Sequence, residues 1–395
     1  MTLAAPAPPR TTAPPPDRRV IVTVAGVQLA ACLGYFSVMA HLVAHLKHDL
    51  GLMAGTIGLV LGIRTGLQFG LLLPVGAVTD VLGARRTGAI ACAVRAAGFG
   101  LLGLADGVGT LLAAAVLIAV GGALTNPAAQ SLLAGVSPER RSRGFAAFVA
   151  AQQVATIAGP PIGLALLAFG DGFALLSGAS AAIWLVCGGL FMLVPTAARE
   201  PVRLRGAAHS ALTGLKRVLG DRGFVLFAIA VAPTTLLANH ILTAVPLLGF
   251  GSAVATVAFS VLAAVAAAAQ PFVAAGHRGE RPWVLRAGLL CAAAAFFVLA
   301  PLDGAQTWPL MVAAVLNGVS NGLIQPSIFQ RAARHAPPER FGSYYGVMAG
   351  LAGIFSFAAE MIIGRLFDLG SGGAAAALTA VGAFALAAAF TVRGP

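Results

Sequence analysis

Residues 109–143 read GTLLAAAVLIAVGGALTNPAAQSLLAGVSPERRSR, an uncharged apolar stretch that runs into a basic loop. The apolar part covers 109–134, and about 20 residues are enough for a helix to cross the hydrocarbon core of a bilayer. The pattern recurs along the chain, in which 58% of the residues are hydrophobic and 10% are charged. Soluble domains have roughly 25% charged residues. The composition therefore predicts a polytopic membrane protein.

The chain contains about twelve apolar stretches of this kind. Helices are the expected spanning elements, because the short alternating strands of a membrane β-barrel are not visible. We therefore predict an all-α membrane protein. The predicted spans are 20–46, 52–77, 86–105, 109–134, 143–169, 172–194, 223–249, 251–275, 284–302, 307–332, 342–367 and 372–392.

Charged loop residues predict the orientation of the chain. Arginines follow the even-numbered spans, whereas the loops on the opposite side carry aspartates. Because cytoplasmic loops are enriched in Lys and Arg, we predict a multi-pass protein of the cell membrane with both termini in the cytoplasm. The net charge of +12 is then a topology signal, and no nucleic-acid partner is expected. The opposing sets include Arg85, Arg86, Arg140, Arg141 and Arg340 against Asp49, Asp106, Asp171, Asp303 and Asp368.

The two halves of the chain resemble each other. SPERR at 137–141, after the fourth span, is echoed by PPERF at 337–341, after the tenth. Upstream of these loops, GALTNP at 122–127 matches GLIQP at 322–326. Two matches at equivalent places indicate a duplication, so we predict two pseudo-repeated bundles of six helices. This is the architecture of rocking transporters, whose substrate site lies between the halves near the membrane midplane.

The predicted domain boundaries follow from the polar interruptions. The longest interruption, 196–222, is interpreted as a cytoplasmic linker between bundles at 20–195 and 223–395. The Pro-rich start, 1–19, is interpreted as a disordered cytoplasmic tail.

The loop after the second span carries a motif. It reads GAVTDVLGARRTG over 76–88 and resembles the G-x-x-x-D-R-x-G-R-R/K signature of the major facilitator superfamily. The resemblance implies a latch that closes the inner ends of the two halves, formed by Gly76, Asp80, Gly83, Arg85 and Arg86. Val81 replaces the usual Arg, which removes one cation. Alternatively, the two arginines only fix the topology.

A second motif lies in the fifth span, where residues 159–163 read GPPIG. Consecutive prolines remove backbone donors and kink a helix, and the flanking glycines allow close packing. Gly159, Pro160 and Gly163 resemble the antiporter motif G-P-x-x-G-G of drug-exporting members, with Leu164 in place of the last glycine. The resemblance implies export, and an ordinary proline kink is the alternative.

Charged residues buried within the spans, away from their ends, are few, and such residues are expected to be functional because they are costly in lipid. They are Arg64, Arg95 and Glu360. The family packs its second and eleventh spans together, so we hypothesise that Arg64 pairs with Glu360 in one conformation and that Glu360 takes up a proton in another. Local pairing of each charge is the alternative.

Further polar residues inside the spans are candidates for the wall of a substrate cavity. Single members more often form hydrogen bonds between helices, whereas their clustering favours a cavity. His41 and His45, near the outer end of the first span, are expected at the surface. The cavity candidates are Gln28, Tyr35, Gln152, Gln153, Asn239, His240, Asn317, Asn321 and Gln325.

The function predicted from these features is proton-coupled export of small amphipathic organic molecules by alternating access. The proton gradient is the energy source and no cofactor is expected. The expected partners are a small-molecule substrate, protons and membrane lipid, and the resemblance implies a monomer. The alternatives are an importer of a small metabolite, which includes anionic metabolites, and a non-transporting sensor or assembly protein. The sequence offers no carboxylate dyad, His-rich metal cluster or GxSxG elbow that would indicate an enzyme.

Overall fold

A computed structural model of the chain describes residues 17–72, 75, 79, 82–169, 172–195, 213, 215–274, 278, 281–335 and 341–391. These residues form helices joined by short connections, and no strand occurs among them. The all-α prediction is therefore confirmed. Gly76 and Asp80 of the loop motif lie outside the described residues.

Six helices form the first half of the molecule. α1 begins at Asp17, and it continues past Ala44 as a π-helical turn, His45–Asp49. This turn carries the helix beyond the predicted end of the first span. The remaining helices of this half are α2 (Ala54–Gly70), α3 (Ala84–Gly103), α4 (Val108–Ala134), α5 (Pro138–Leu167) and α6 (Phe173–Leu193).

The second half repeats this arrangement with one interruption. α7 consists of two segments, Arg222–Val231 and Thr234–Leu247, separated at Ala232 and Pro233. The sequence predicted one continuous span here, and the break is explained by the proline, which lacks the N–H of a helix interior. The remaining helices are α8 (Ser252–Ala274), α9 (Pro282–Leu299), α10 (Thr307–His335), α11 (Phe341–Phe367) and α12 (Ser371–Thr391).

Ten of the described helices are long and apolar enough to cross a membrane. Among α1 to α12, the two that do not belong to this set are α2, which is described for 17 residues, and α3, which contains three arginines. The positions of all twelve helices are consistent with the predicted spans. A multi-pass membrane protein is therefore the correct description of the chain.

Each half has its own hydrophobic core. One cluster of buried residues is built from α1 to α6, and a second is built mostly from α7 to α12. A few residues join the core of the opposite half: Ala40 and Ala54 belong to the second cluster, and Leu247 packs against the first. Each half is thus a packing unit with its own core, and the two halves meet along an interface.

Two helix pairs dominate that interface, α2 with α11 and α5 with α8. Glycines bring α2 and α11 together. A methyl group at Gly62 would lie 3.1 Å from the ring of Phe357, and one at Gly58 would overlap the carbonyl oxygen of Glu360. In return, a methyl group at Gly364 would lie 2.6 Å from the carbonyl oxygen of Ala54. Small residues of this kind let two helix backbones approach closely in a membrane.

The two ends of the bundle differ in charge. Asp49, Asp303 and Asp368 lie at one end, called here the acidic end. Arg140 and Arg281 lie at the other, called the basic end. At the acidic end, Asp368 accepts hydrogen bonds from the backbone N–H groups of Ala54 and Gly55, at 2.7 and 2.8 Å. A carboxylate from the second half therefore caps the N-terminus of α2, where the helix dipole favours negative charge.

Candidate substrate cavity

A cavity of about 370 Å³ lies between the two halves. Its walls come from α1, α2 and α5 on one side and from α7, α8, α10 and α11 on the other. The volume falls within the roughly 300–1,000 Å³ of typical small-molecule pockets. The interface between the halves therefore holds a site of suitable size for a small organic molecule.

The structure brings most of the predicted polar residues to this cavity. Gln28 lies behind the wall and donates to Gln152 at 3.4 Å. Asn317 is buried and donates to the backbone carbonyl of Leu237, and His240 is buried behind Glu360. Those that line the cavity are Tyr35, Gln152, Gln153, Asn239, Asn321 and Gln325.

Arg64 is the charged residue of the first half that lines the cavity. Its guanidinium donates to the Tyr35 hydroxyl at 2.8 Å and to the Thr65 hydroxyl at 3.1 Å. Within the described part of the chain, no carboxylate forms an ion pair with Arg64. Arg64 therefore presents its positive charge to the cavity without an ion-pair partner among the described residues.

Arg95 lies behind Tyr35 and does not reach the cavity. Its guanidinium carbon is 5.0 Å from the ring centre of Tyr35 and 4.6 Å from that of Trp184, and its Nε donates to the carbonyl of Ile118 at 3.3 Å. Gly121 makes room for the side chain, since a methyl group there would lie 2.6 Å from Arg95 Cγ. Arg95 is thus a buried cation in contact with two aromatic faces.

Glu360 lines the opposite wall and pairs with His240, with 3.3 Å between Oε1 and Nδ1. Among the described residues, Glu360 Oε2 and His240 Nε2 have no hydrogen-bond partner. The hypothesised Arg64–Glu360 pair is absent in this conformation. Glu360 packs level with Gly58 of α2, whereas Arg64 lies six residues further on, about 9 Å along the helix.

The GPPIG stretch contacts α1 through both of its glycines. A methyl group at Gly159 would lie 2.7 Å from Phe36 Cβ, and one at Gly163 would overlap the carbonyl oxygen of Ser37. The Ser37 hydroxyl donates to the carbonyl of Gly159 at 2.9 Å, and His41 Nε2 donates to that of Pro160 at the same distance. The surface prediction for His41 is thus wrong, because its imidazole is buried against this stretch.

The GPPIG stretch also lies at the contact with the second half. Pro161 has no N–H to donate to the carbonyl of Ile157, and the Ser260 hydroxyl of α8 donates to that carbonyl at 3.2 Å. Nearby, Gln153 donates to Gln270 at 2.9 Å. Sequence reasoning missed Ser260 and Gln270, and the carbonyl released by Pro161 was the signal that a donor had to lie nearby.

The loop motif is described only from its second glycine onwards. Gly83 has a φ of +79°, a conformation that favours glycine, and it immediately precedes α3. Arg85 is half-buried and Arg86 is exposed at the start of α3. Gly76 and Asp80 lie outside the described residues, so the inner latch remains a prediction.

Metal binding has no support in the described residues, where no group of three or more His, Cys, Asp or Glu side chains could hold an ion. The cysteines Cys32, Cys92, Cys187 and Cys291 are free.

Residues 24–360 match the model of a protein family described as Major Facilitator Superfamily. An uncharacterized MFS-type transporter of Mycobacterium tuberculosis (strain H37Rv) is 27% identical over 370 residues, which cover 89% of this chain and 86% of the relative. The multidrug resistance protein MdtH of Shigella dysenteriae is 26% identical over 358 residues, or 86% of this chain and 84% of that protein.

Solved transporter structures share the fold. A bacterial homologue of the human drug peptide transporters PepT1 and PepT2 gives a TM-score of 0.74 at 15% identity and covers 95% of this chain and 97% of its own. The nucleoside transporter NupG gives a TM-score of 0.74 at 11% identity, with coverage of 94% and 98%. At these identities the similarity shows the fold alone.

Proposed function

The chain belongs to the major facilitator superfamily, and on that premise we propose that it exports small amphipathic organic molecules in exchange for protons. Transport of a small molecule, and not catalysis, is the activity of such a protein. The observation that carries the proposal is the cavity between the halves, which combines apolar side chains with Arg64 and Glu360. A site of this composition suits a molecule with both apolar and polar parts.

Alternating access would proceed by rocking of the two halves about this cavity. Their separate cores allow each half to move as a unit. Opening toward the acidic end requires Asp368 to release the N-terminus of α2 and requires α2 to separate from α11. By the charge of the loops we propose that the acidic end is outside and the basic end cytoplasmic. The Arg85–Arg86 loop is then the proposed latch of the inner side.

Glu360 is the residue we propose for proton coupling. It lines the cavity, pairs with His240, and has its carbonyl oxygen against Gly58. Separation of α2 from α11 would therefore change the surroundings of its carboxyl group. Because burial and neighbouring charges decide whether a carboxyl group is ionised, such a movement can drive proton uptake and release.

Export is supported by two features. The GPPIG stretch resembles the antiporter motif and contacts both α1 and α8. The relatives named MdtH are described as multidrug resistance proteins.

Accumulation of a fluorescent amphipathic dye in cells tests the direction of transport. Cells that carry the chain should accumulate less dye than matched cells without it, and collapse of the proton gradient should abolish the difference. An importer would give the reverse: higher accumulation that falls when the gradient is lost. Equal accumulation across a broad panel of compounds, with verified membrane insertion, would favour a non-transporting protein.

A further inference from the structure

We propose that the cavity binds amphipathic organic carboxylates, with the carboxylate at Arg64 and the apolar body across the opposite wall. This inference rests on the proposed function, because it takes the cavity as the substrate site. It adds the substrate class and the residue that recognises it.

The charges of the first half carry the inference. Arg64 faces the cavity and Arg95 lies behind it, with the Tyr35 ring within 6.0 Å and 5.0 Å of the two guanidinium carbons. In the described ranges neither arginine forms an ion pair with a carboxylate. Two cations thus share one aromatic ring at membrane depth, where unpaired charge is costly. A substrate carboxylate would supply the missing counter-ion.

Hydrogen-bond donors surround the proposed carboxylate position. Arg64 has five N–H donors, and its described bonds to Tyr35 and Thr65 use two of them. Tyr35 and Thr65 accept those bonds, and within the described residues neither hydroxyl donates one, so both can donate to a substrate. Gln68, four residues after Arg64 on the same face of α2, lines the cavity and adds an amide. A guanidinium with neighbouring O–H and N–H donors is the usual environment for a bound carboxylate.

The opposite wall suits the apolar body of such a substrate. Phe259 and Leu262 of α8 line the cavity, as do Phe36 and Met39 of α1. Glu360 is the acidic residue of the lining, and it pairs with His240 on the second half. It therefore does not neutralise Arg64, and its negative charge disfavours a carboxylate on that side. A carboxylate is expected to bind at the α2 wall, with the apolar rings across the cavity.

Three probes with the same aromatic body and different head groups test this inference: naphthylacetate, naphthylacetamide and naphthylethylammonium. Binding is measured with the purified full chain in lipid nanodiscs, by displacement of radiolabelled naphthylacetate. The expected result is at least tenfold tighter binding of the carboxylate than of the amide or the ammonium compound. Arg64→Gln should remove this preference and leave amide binding within about twofold of wild type.

Two further variants show whether a loss of the carboxylate preference is specific to the charge of Arg64. Arg64→Lys retains the charge and should keep part of the preference, even if Arg64→Gln fails to fold. Arg140→Gln removes an exposed arginine of the basic end, far from the cavity, and should keep all of it. Any one of four results would overturn the inference. The carboxylate and the amide could bind equally well, or the ammonium compound could bind most tightly. No probe could bind at all, or the preference for the carboxylate could survive in Arg64→Gln. None of these results bears on whether the protein exports other compounds, which is measured in cells.

Discussion

The Ser260 hydroxyl of α8 donates a hydrogen bond to the backbone carbonyl of Ile157 in α5, at 3.2 Å. That carbonyl has no helical donor, because the residue four positions later is Pro161. The prolines of the GPPIG stretch therefore create an acceptor in the first half that is used by the second. A feature that distorts one helix thus becomes part of the contact between the two halves.

Ser260→Ala tests this contact. The substitution leaves the carbonyl of Ile157 without a donor, so we expect it to reduce the free energy of unfolding by about 1 kcal/mol, as for other hydrogen bonds between helices in membranes. The matched control is Thr256→Val, because the Thr256 hydroxyl donates within α8 to the carbonyl of Ser252. Equilibrium unfolding in mixed micelles provides the comparison. Equal stability of the two variants would show that the bond contributes nothing.

The close approach of α5 and α1 predicts a large effect of a single methyl group at Gly163. In Gly163→Ala this methyl group would overlap the carbonyl of Ser37 and lie 2.8 Å from the His41 ring. Overpacking of this kind costs about 1–3 kcal/mol, so a clear fall in the thermal midpoint is expected. Gly178→Ala is the control, since no atom lies within 4 Å of the added methyl group. A Gly163→Ala protein as stable as this control would contradict the packing described here.

The hydrogen bonds that Asp368 accepts from α2 should help to keep the acidic end closed. Asp368→Ala removes the cap from the N-terminus of α2, and a lost cap costs about 0.5–2 kcal/mol. We expect a several-fold faster reaction of Leu61→Cys, which lines the cavity, with an impermeant maleimide added from the acidic side. The four native cysteines are replaced beforehand.

Asp303→Ala is the control for this experiment, because the hydrogen bond that Asp303 accepts among the described residues comes from Ala305 in its own loop. If both aspartate variants label at the wild-type rate, Asp368 does not hold the acidic end closed.

The shape of the Arg95 side chain should matter for stability, whereas its charge is what contributes to substrate binding. Arg95→Lys keeps the charge but loses the flat guanidinium that stacks between Tyr35 and Trp184. A desolvated cation–π contact is worth about 2 kcal/mol, so the unfolding transition is expected to move to lower temperature. Binding of naphthylacetate should stay within about twofold of wild type. A tenfold loss of binding without a loss of stability would place Arg95 in the binding site instead.

The helices could be predicted from the sequence because bilayer thickness fixes the length of an apolar span. Arginine-rich and aspartate-rich loops then mark where each span ends. The break in α7 was missed because Pro233 lies inside an otherwise continuous apolar run, and proline is tolerated in such helices. The cavity-facing set was largely identified because polar side chains inside spans are few.

The partners of those side chains could not be predicted. α4 and α12 are apolar on nearly every side, so composition does not fix how a helix is rotated. The rotation and depth of α7 and α11 bring His240 to Glu360, and the depth of α2 leaves Arg64 with Tyr35. For the same reason, the burial of His41 and the cap that Asp368 provides for α2 could not be predicted, since both depend on helix rotation and depth.

Proton-driven transport in proteoliposomes tests the central claim most directly. We would reconstitute three purified proteins: the wild type, Glu360→Gln and Glu139→Gln. Glu139→Gln is the control, because it alters an exposed residue of the basic end. Substrate flux is measured with and without an imposed pH gradient. The account predicts that the gradient accelerates transport by the wild type and by Glu139→Gln. Glu360→Gln should still transport substrate, but at a rate that does not depend on the pH gradient. Undiminished acceleration in Glu360→Gln would contradict it.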